Sequence, residues 1–364
     1  MKNIIVALGT RPEAIKMCPL IAELKKRKNI NVRVVSTGQH REMLAPVLGF
    51  FGVAPDFELD VMSEGQTLFD VTERVMRGMR KILDSVKCDL LLVHGDTTTA
   101  FAAALSAFYM NIPVGHVEAG LRTYDIRSPY PEEFNRNAID AVSDLLFAPT
   151  EICAERLVSE GRKKENIFVT GNTAVDSLKY TVRDDFTHPL LEGTDGKRIL
   201  LITAHRRENT GEKMKAMFRG IARALEEHPD VCAVYPVHPN PSVRSAAYEI
   251  FGSSDRIKLT EPLCTYDFHN ILARSYIAVT DSGGIQEEAP CLGVPVLVMR
   301  DTTERTEALE AGGVKLIGTD ERSVYEGICA LLSDGELHGA MSHAGNRYGD
   351  GDACVKIADI IERV

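Results

Sequence analysis

Carboxylates crowd one stretch of this chain. In His116–Arg136 (HVEAGLRTYDIRSPYPEEFNR), Glu118 closes an apolar run of β type. Glu132 opens a helical stretch behind Pro129 and Pro131, with Arg136 one turn later. Upstream, GDTTT sets Asp96 at the end of another apolar run, where it would cap a helix starting at Thr98. An unpaired carboxylate at the end of a buried strand is costly and tends to have a raised pKa. Three carboxylates at strand or helix starts on one side of one sheet suit proton transfer. Helix capping alone also accounts for Asp96, and an i,i+4 ion pair with Arg136 also accounts for Glu132. His205 opens HRREN after a strand of the second half, and His238 lies at a strand end in YPVHPNP. The neighbouring Arg206 and Arg207 would keep His205 from easily protonating, leaving it a base or hydrogen-bond partner.

Two other segments suit an anion. GTRPEAIK (Gly9–Lys16) follows the first strand: Gly9 lets the backbone turn, Pro12 suits a first helical turn, and Arg11 is left at the strand end. That helix start, Arg11 and Lys16 could together hold a diphosphate; a plain βα turn with a surface arginine is the bland alternative. DSGGIQEE (Asp281–Glu288) sits at another strand end. Ser282, Gly283 and Gly284 would present N–H groups at a helix start, which attracts anions by geometry and dipole. Such a contact contributes only about 0.3–2 kcal/mol, so a cation is needed too, and Arg305 in RDTTER is placed to supply it. Glu288, one turn in, could accept two ribose hydroxyls. The bland alternative keeps the glycines for turning and Ser282 as a cap. No glycine-rich dinucleotide fingerprint or Walker A sequence occurs, and no His or Cys spacing supports a metal site, so neither cofactor nor metal is expected.

These residues need strands and helices to hold them. Apolar β-branched runs recur at Ile4–Leu8, Val32–Ser36, Leu90–His94, Pro113–Val117, Leu145–Ala148 and Ile167–Thr170. They resume at Ile199–Thr203, Val231–Val237, Ile257–Thr260, Ile277–Thr280 and Val294–Met299. Amphipathic stretches such as Pro12–Arg27, Thr98–Tyr109, Glu151–Glu160, Glu212–Glu227 and Thr265–Ala273 lie between. Near-continuous apolar strands alternating with helices imply parallel sheets covered on both faces. The polar segment Arg183–Lys197 interrupts the pattern. The expectation is an α/β chain of two Rossmann-like, doubly wound domains facing a cleft, 1–172 and 173–349, with ligands beyond the carboxyl ends of the strands.

The bulk numbers agree. A chain of 364 residues, 44% of them hydrophobic, suits two domains. A net charge of −10 argues against a nucleic-acid or anionic-membrane partner, so any anionic ligand needs a local basic cluster. The eight cysteines are scattered singly and read as buried free thiols. No segment approaches 18 unbroken apolar residues and no signal peptide is visible, so a cytoplasmic protein is expected.

Taken together, GTRPEAIK, QHREML, HGDTTT, HVEAGLRT, SPYPEEFNR, HRREN, YPVHPNP, DSGGIQEEAP and RDTTER closely resemble, in order, the non-hydrolysing UDP-N-acetylglucosamine 2-epimerases. The resemblance implies the GT-B fold, with a C-terminal helix near 350–364 packing back on the first domain, and a homodimer. It implies interconversion of UDP-GlcNAc and UDP-ManNAc through elimination of UDP to 2-acetamidoglucal. Asp96, Glu118 and Glu132 would then move protons at C2, and His205 would sit beside the leaving diphosphate. Arg11, Lys16, Arg136, Leu263 (through its backbone), Phe268, Ser282, Gly283, Gly284, Glu288 and Arg305 would bind the nucleotide sugar. In many bacterial relatives a second UDP-GlcNAc activates the enzyme. That pocket maps onto Gln39, Glu42, Arg206 and His238, where Glu42 and Gly65 replace the more usual Gln and Arg. Thr306 stands where the family usually has Pro, and Cys264 and Thr265 replace acidic or bulky residues near the uracil. Rival readings are a 2-epimerase of UDP-2,3-diacetamido sugars, a hydrolysing epimerase releasing ManNAc, a GT-B glycosyltransferase and a non-catalytic nucleotide-sugar sensor.

Overall fold

The structure, a computed structural model, describes the chain except Gln39, His40, Glu64, Arg207, Glu208, Glu304, Asn346 and the side chains of Arg41, Glu42 and Met43. Its strands are β1 (Lys2–Leu8), β2 (Ile30–Ser36), β3 (Phe57–Glu58), β4 (Leu90–His94), β5 (Val114–Val117), β6 (Leu145–Ala148) and β7 (Ile167–Val169), then β8 (Arg198–Thr203), β9 (Val231–Pro236), β10 (Ile257–Thr260), β11 (Ile277–Thr280), β12 (Val296–Val298) and β13 (Val314–Leu316). The interior strands match the apolar runs closely because both of their faces are covered; all five residues of β4 are buried. The edge strands β3 and β13 escape a sequence reading. β3 has only two residues, and in β13 the exposed Lys315 interrupts an already short apolar run.

Contacts divide the chain into Met1–Tyr180 with Tyr348–Val364, and Thr181–Arg347. The first unit holds a parallel sheet in the order β3-β2-β1-β4-β5-β6-β7. The second holds a parallel sheet in the order β10-β9-β8-β11-β12-β13. Both are doubly wound. The strand order reverses between β1 and β4 in the first and between β8 and β11 in the second, and loops leaving such a point diverge to open a crevice.

Helix starts are built locally. Thr10 caps the helix Arg11–Lys25, and Glu13 returns the contact by accepting the Gly9 and Thr10 N–H groups at 2.6 and 2.7 Å. Thr67 and Asp70 make the same box for Leu68–Ser85, whose Val71, Val75, Met79, Ile82 and Leu83 form one buried stripe. Gly9 does not serve the turn expected of it. A Cβ there would stand 1.9 Å from Thr37 Oγ1, so the residue is small because β2's exit loop passes against it.

The C-terminal helix Ala353–Arg363 packs on Arg11–Lys25 through Cys354, Ile357, Ala358 and Ile361. Buried Asp176, on the helix Thr173–Thr181, accepts the N–H groups of Ala353 and Cys354 at 3.2 and 2.9 Å. One carboxylate thus fastens the returning chain to the first unit. None of the eight cysteines is in a disulfide: Cys18, Cys153, Cys232 and Cys354 are buried as expected, whereas Cys264 is exposed. Among the described residues no helix is long and apolar enough to cross a membrane. Asp176→Ala would orphan two buried donors, and should cost about 1–3 kcal/mol in urea unfolding of the first unit; Asp176→Asn, which keeps an acceptor, should cost less.

Candidate active site

The chain leaving β5 passes into Glu118 with φ +72°, a left-handed conformation that costs a side-chain-bearing residue roughly 1–2 kcal/mol. The Glu118 N–H is fastened to the Phe147 carbonyl at 3.1 Å. Only 9% of the side chain is exposed, and its Oε2 takes an ion pair from the Lys16 ammonium. Asn172 Nδ2 donates to the same oxygen at 3.3 Å, and His94 Nε2 lies 3.5 Å away. A Cβ on Gly95 would stand 3.8 Å from Oε1, so the carboxylate lies against the residue preceding Asp96. Burial alone would push the Glu118 carboxyl up. The Lys16 ammonium and then His94 outweigh it, and the group is held well below the usual carboxylate range. The expected raised pKa is therefore reversed in sign, because the charge is not unpaired.

Asp96 follows β4 and Gly95. It does not cap the next helix; Thr97 does, accepting the Ala100 N–H at 3.0 Å. The Asp96 side chain is paired with Arg136, and its main-chain oxygen accepts from Asn135 Nδ2 at 2.9 Å. Arg136 therefore does not pair with Glu132. Its other close carboxylate is Glu133, at 3.4 Å, since both reach inward from the helix Glu132–Val142. Buried Glu133 also fixes the preceding loop by accepting the Thr123 and Tyr124 N–H groups, each at 3.1 Å. Glu132 is partly exposed, and its side chain makes no hydrogen bond or ion pair among the described residues. Arg11 begins the helix Arg11–Lys25 and is partly buried. Lys16, expected at a diphosphate, is instead engaged with Glu118. His94, Asn172 and Glu133 were not singled out from sequence. His94 and Glu133 stand inside motifs already noted, HGDTTT and SPYPEEFNR, while Asn172 carries no local signal.

In the second unit Ser282 starts the helix Gly283–Glu288, and its hydroxyl caps nothing. The side-chain-cap explanation of Ser282 therefore fails. Gly283 is not kept for turning either. A Cβ on it would stand 2.8 Å from the Arg305 guanidinium carbon, so the glycine makes room for that cation beside the helix start. Buried Glu287 accepts from Arg305 Nε at 3.0 Å and fixes its direction. Thr303 adds a bond to the Arg305 N–H and another to Gln286. Thr306 simply opens the next helix, Thr306–Ala311.

Glu288 lies 3.6 Å from Nε2 of buried His269, whose Nδ1 contacts the Thr181 hydroxyl at 2.7 Å. Phe268 and Leu263 are partly buried, at the helix Thr265–Ala273 and the loop before it, and the Cys264 sulfur caps that helix. Asp281, wholly buried, gathers the loop after β8 by accepting the N–H groups of His205 and Arg206. His205 Nδ1 lies 3.3 Å from the Asp281 carboxylate, while Arg206 Nε donates to the Asp281 main-chain oxygen. His205 thus has a buried carboxylate beside it, a neighbour not expected from sequence, while Arg207 lies outside the described residues. His238 stacks on His205 with centroids 5.6 Å apart. Burial, and then His205, push the His238 imidazole down, with Asp281 opposing. Of the remaining residues mapped to an activating pocket, Gln39 lies outside the described residues, as does the side chain of Glu42. Among the described residues no group of three His, Cys, Asp or Glu could hold a metal ion.

Each unit thus presents one kind of chemistry at its own switch point. The first offers two carboxylates with fixed partners, Glu118 and Asp96, suited to proton transfer. The second offers a helix start with a held arginine, suited to a phosphate. The family model for UDP-N-acetylglucosamine 2-epimerase matches residues 22–362. The Bacillus subtilis (strain 168) UDP-N-acetylglucosamine 2-epimerase is 52% identical over 98% of this chain and 94% of its own. The S. aureus MnaA–UDP co-structure superposes with a TM-score of 0.94 at 48% identity, over 100% of this chain and 96% of that one. The Neisseria meningitidis UDP-GlcNAc 2-epimerase bound to UDP-GlcNAc gives 0.93 at 42% identity, covering both chains completely.

Glu118 ionises in the folded chain at lower pH than its unfolded value of about 4.3. Its charge therefore stabilises the fold above that pH, and the contribution is lost as pH falls through the folded value. Lys16→Met removes the cation and leaves the burial, so the folded value should rise. In thermal melts across about pH 3–8, the acid loss of stability should begin at higher pH in this variant; coincident acid limbs would show that Lys16 does not hold the charge.

Proposed function

The chain belongs to the UDP-N-acetylglucosamine 2-epimerase family, and from that premise we propose that it interconverts UDP-GlcNAc and UDP-ManNAc without hydrolysing either. The difficulty of the reaction is that C2–H is not next to a carbonyl. If the C1–O bond to UDP breaks first, positive charge develops at C1 and the C2 proton becomes acidic. Its electron pair then forms the C1–C2 double bond of 2-acetamidoglucal. Returning a proton to the other face of C2, and UDP to C1, gives the epimer.

The demands are a tight hold on a detached diphosphate and proton carriers for both faces of C2. For the first, the N–H groups at Ser282–Gly284 and the Arg305 guanidinium are assigned to the diphosphate, with His205 beside it. Glu288 takes the ribose hydroxyls, and Leu263 and Phe268 border the uracil. For the second, Asp96, Glu118 and Glu132 carry protons at C2, while Arg11, Lys16 and Arg136 bind the nucleotide sugar, the last two from their pairs with Glu118 and Asp96. No face is assigned to any one of them. A homodimer is part of the same proposal.

The observation that carries this reading is Glu118: an ionised, largely buried carboxylate in a left-handed conformation, against the residue that precedes Asp96. Strain and a buried charge together are characteristic of working sites. Being ionised, Glu118 begins as a proton acceptor.

Incubation with UDP-GlcNAc in D₂O, followed by NMR, tests the proposal. Deuterium at C2 of UDP-ManNAc and traces of the glycal are expected. Epimerisation with C2–H retained would sink the elimination route, and accumulation of free ManNAc would mark a hydrolysing enzyme. Glu118→Gln should lower turnover by at least about a hundredfold while UDP binding, measured by calorimetry, stays within about twofold.

A further inference from the structure

Below the two carboxylate-bearing turns lies a buried pair that the reaction does not touch. His116, on β5, has no exposed side-chain surface. Its Nδ1 is 2.6 Å from Asp140 Oδ1, and its Nε2 is 2.8 Å from the carbonyl oxygen of Gly95. A carbonyl oxygen can only accept a hydrogen bond, so Nε2 must carry a proton. Asp140 Oδ2 already takes the Arg122 guanidinium at 2.7 Å and the Gly120 N–H at 3.2 Å. Burial pushes the Asp140 carboxyl up, but His116 and Arg122 prevail and hold it below its ordinary value, as an anion. Nδ1 therefore faces a carboxylate and must donate as well. Arg122 passes on to Glu160 at 2.6 Å, so His116, Asp140, Arg122 and Glu160 alternate in charge and sum to zero.

We propose that His116, protonated on both ring nitrogens, and Asp140 are positioning residues that fix the turns carrying Asp96 and Glu118. The Gly95 carbonyl that His116 grips belongs to the residue before Asp96. The Gly120 N–H that Asp140 grips lies two residues past Glu118, where φ is +85° and a Cβ would stand 2.4 Å from the Cys153 carbonyl oxygen. Asp140 shares the helix Glu132–Val142 with Asn135 and Arg136, which hold Asp96 by its main-chain oxygen and its side chain. One helix therefore sets both turns, and the imidazolium is the piece that ties β4's exit to β5's. A neutral imidazole has one N–H and could donate to Asp140 or to the Gly95 carbonyl, but not to both.

The inference rests on the assignment of Asp96 and Glu118 to proton transfer. Displacing either by about an ångström should lower kcat by roughly tenfold to a hundredfold. In His116→Gln, Asp140→Asn and the double variant, kcat should fall by that factor. KM for UDP-GlcNAc and the dissociation constant for UDP should stay within about twofold, with cooperative melts preserved. The double variant should be no worse than the poorer single one, since the pair acts as a unit. Nitrogen-15 spectra of the histidine-labelled parent at about pH 7.5 should show both His116 ring nitrogens protonated. One unprotonated ring nitrogen, or a kcat within about twofold of the parent in a folded variant, would overturn the proposal. If His116→Gln does not fold, the isosteric Asp140→Asn, which leaves Arg122 on Glu160, decides the kinetic arm. Glu118→Gln and Asp96→Asn separate the two readings. Full activity in these refutes the carboxylate assignment, whereas inactive carboxylate variants beside unimpaired pair variants refute the positioning role alone.

Discussion

The ion pair between Lys16 and Glu118 is the contact around which the first unit is organised. A carboxylate with so little solvent cannot stay charged without a partner. The partner arrives from the helix after β1, while Glu118 follows β5, so 102 residues separate the two. They meet because β4 alone lies between β1 and β5 in the sheet, and β4 ends in His94, which faces the same carboxylate oxygen. The charge, the strained backbone at Glu118 and the order of the strands are one arrangement. A different winding would leave an isolated carboxylate that would simply protonate.

The second unit repeats the winding and puts it to another use. Its switch point ends in a helix start whose side-chain cap is withheld and in a glycine that gives way to Arg305. Arg305 is not a loose surface cation; buried Glu287 aims it. Asp281 does comparable work with backbone donors, drawing His205 and Arg206 to the same strand end. Each unit thus uses a buried carboxylate to fix a polar group that stays partly exposed. Pre-set groups need little reorganisation when charge develops, which is where preorganised sites gain their advantage.

Much of this was legible in the residues. Interior strands announce themselves because both faces are buried and nearly every residue is apolar; β4, β6 and β11 fall where the pattern puts them. Motifs at strand ends drew attention to Asp96, Glu118, Ser282 and Arg305 for the same reason: polar residues standing directly after apolar runs. Glycines misled, since a missing side chain looks alike whether it frees a backbone angle or clears space, and Gly9 and Gly283 do the second.

By itself, the sequence determined two parallel α/β units, the strand ends that carry chemistry and the family to which they belong. All of these rest on short-range pattern and composition. Only the tertiary structure decided who pairs with whom. It gave Glu118 a lysine and so reversed the expected direction of its pKa. It turned Arg136 from Glu132 to Asp96 and Glu133, and it set the buried Asp281 carboxylate beside His205. Charge interactions act over a few ångströms in space with no regard for distance along the chain, so a protonation state becomes readable only once the sheet has brought its strand ends together.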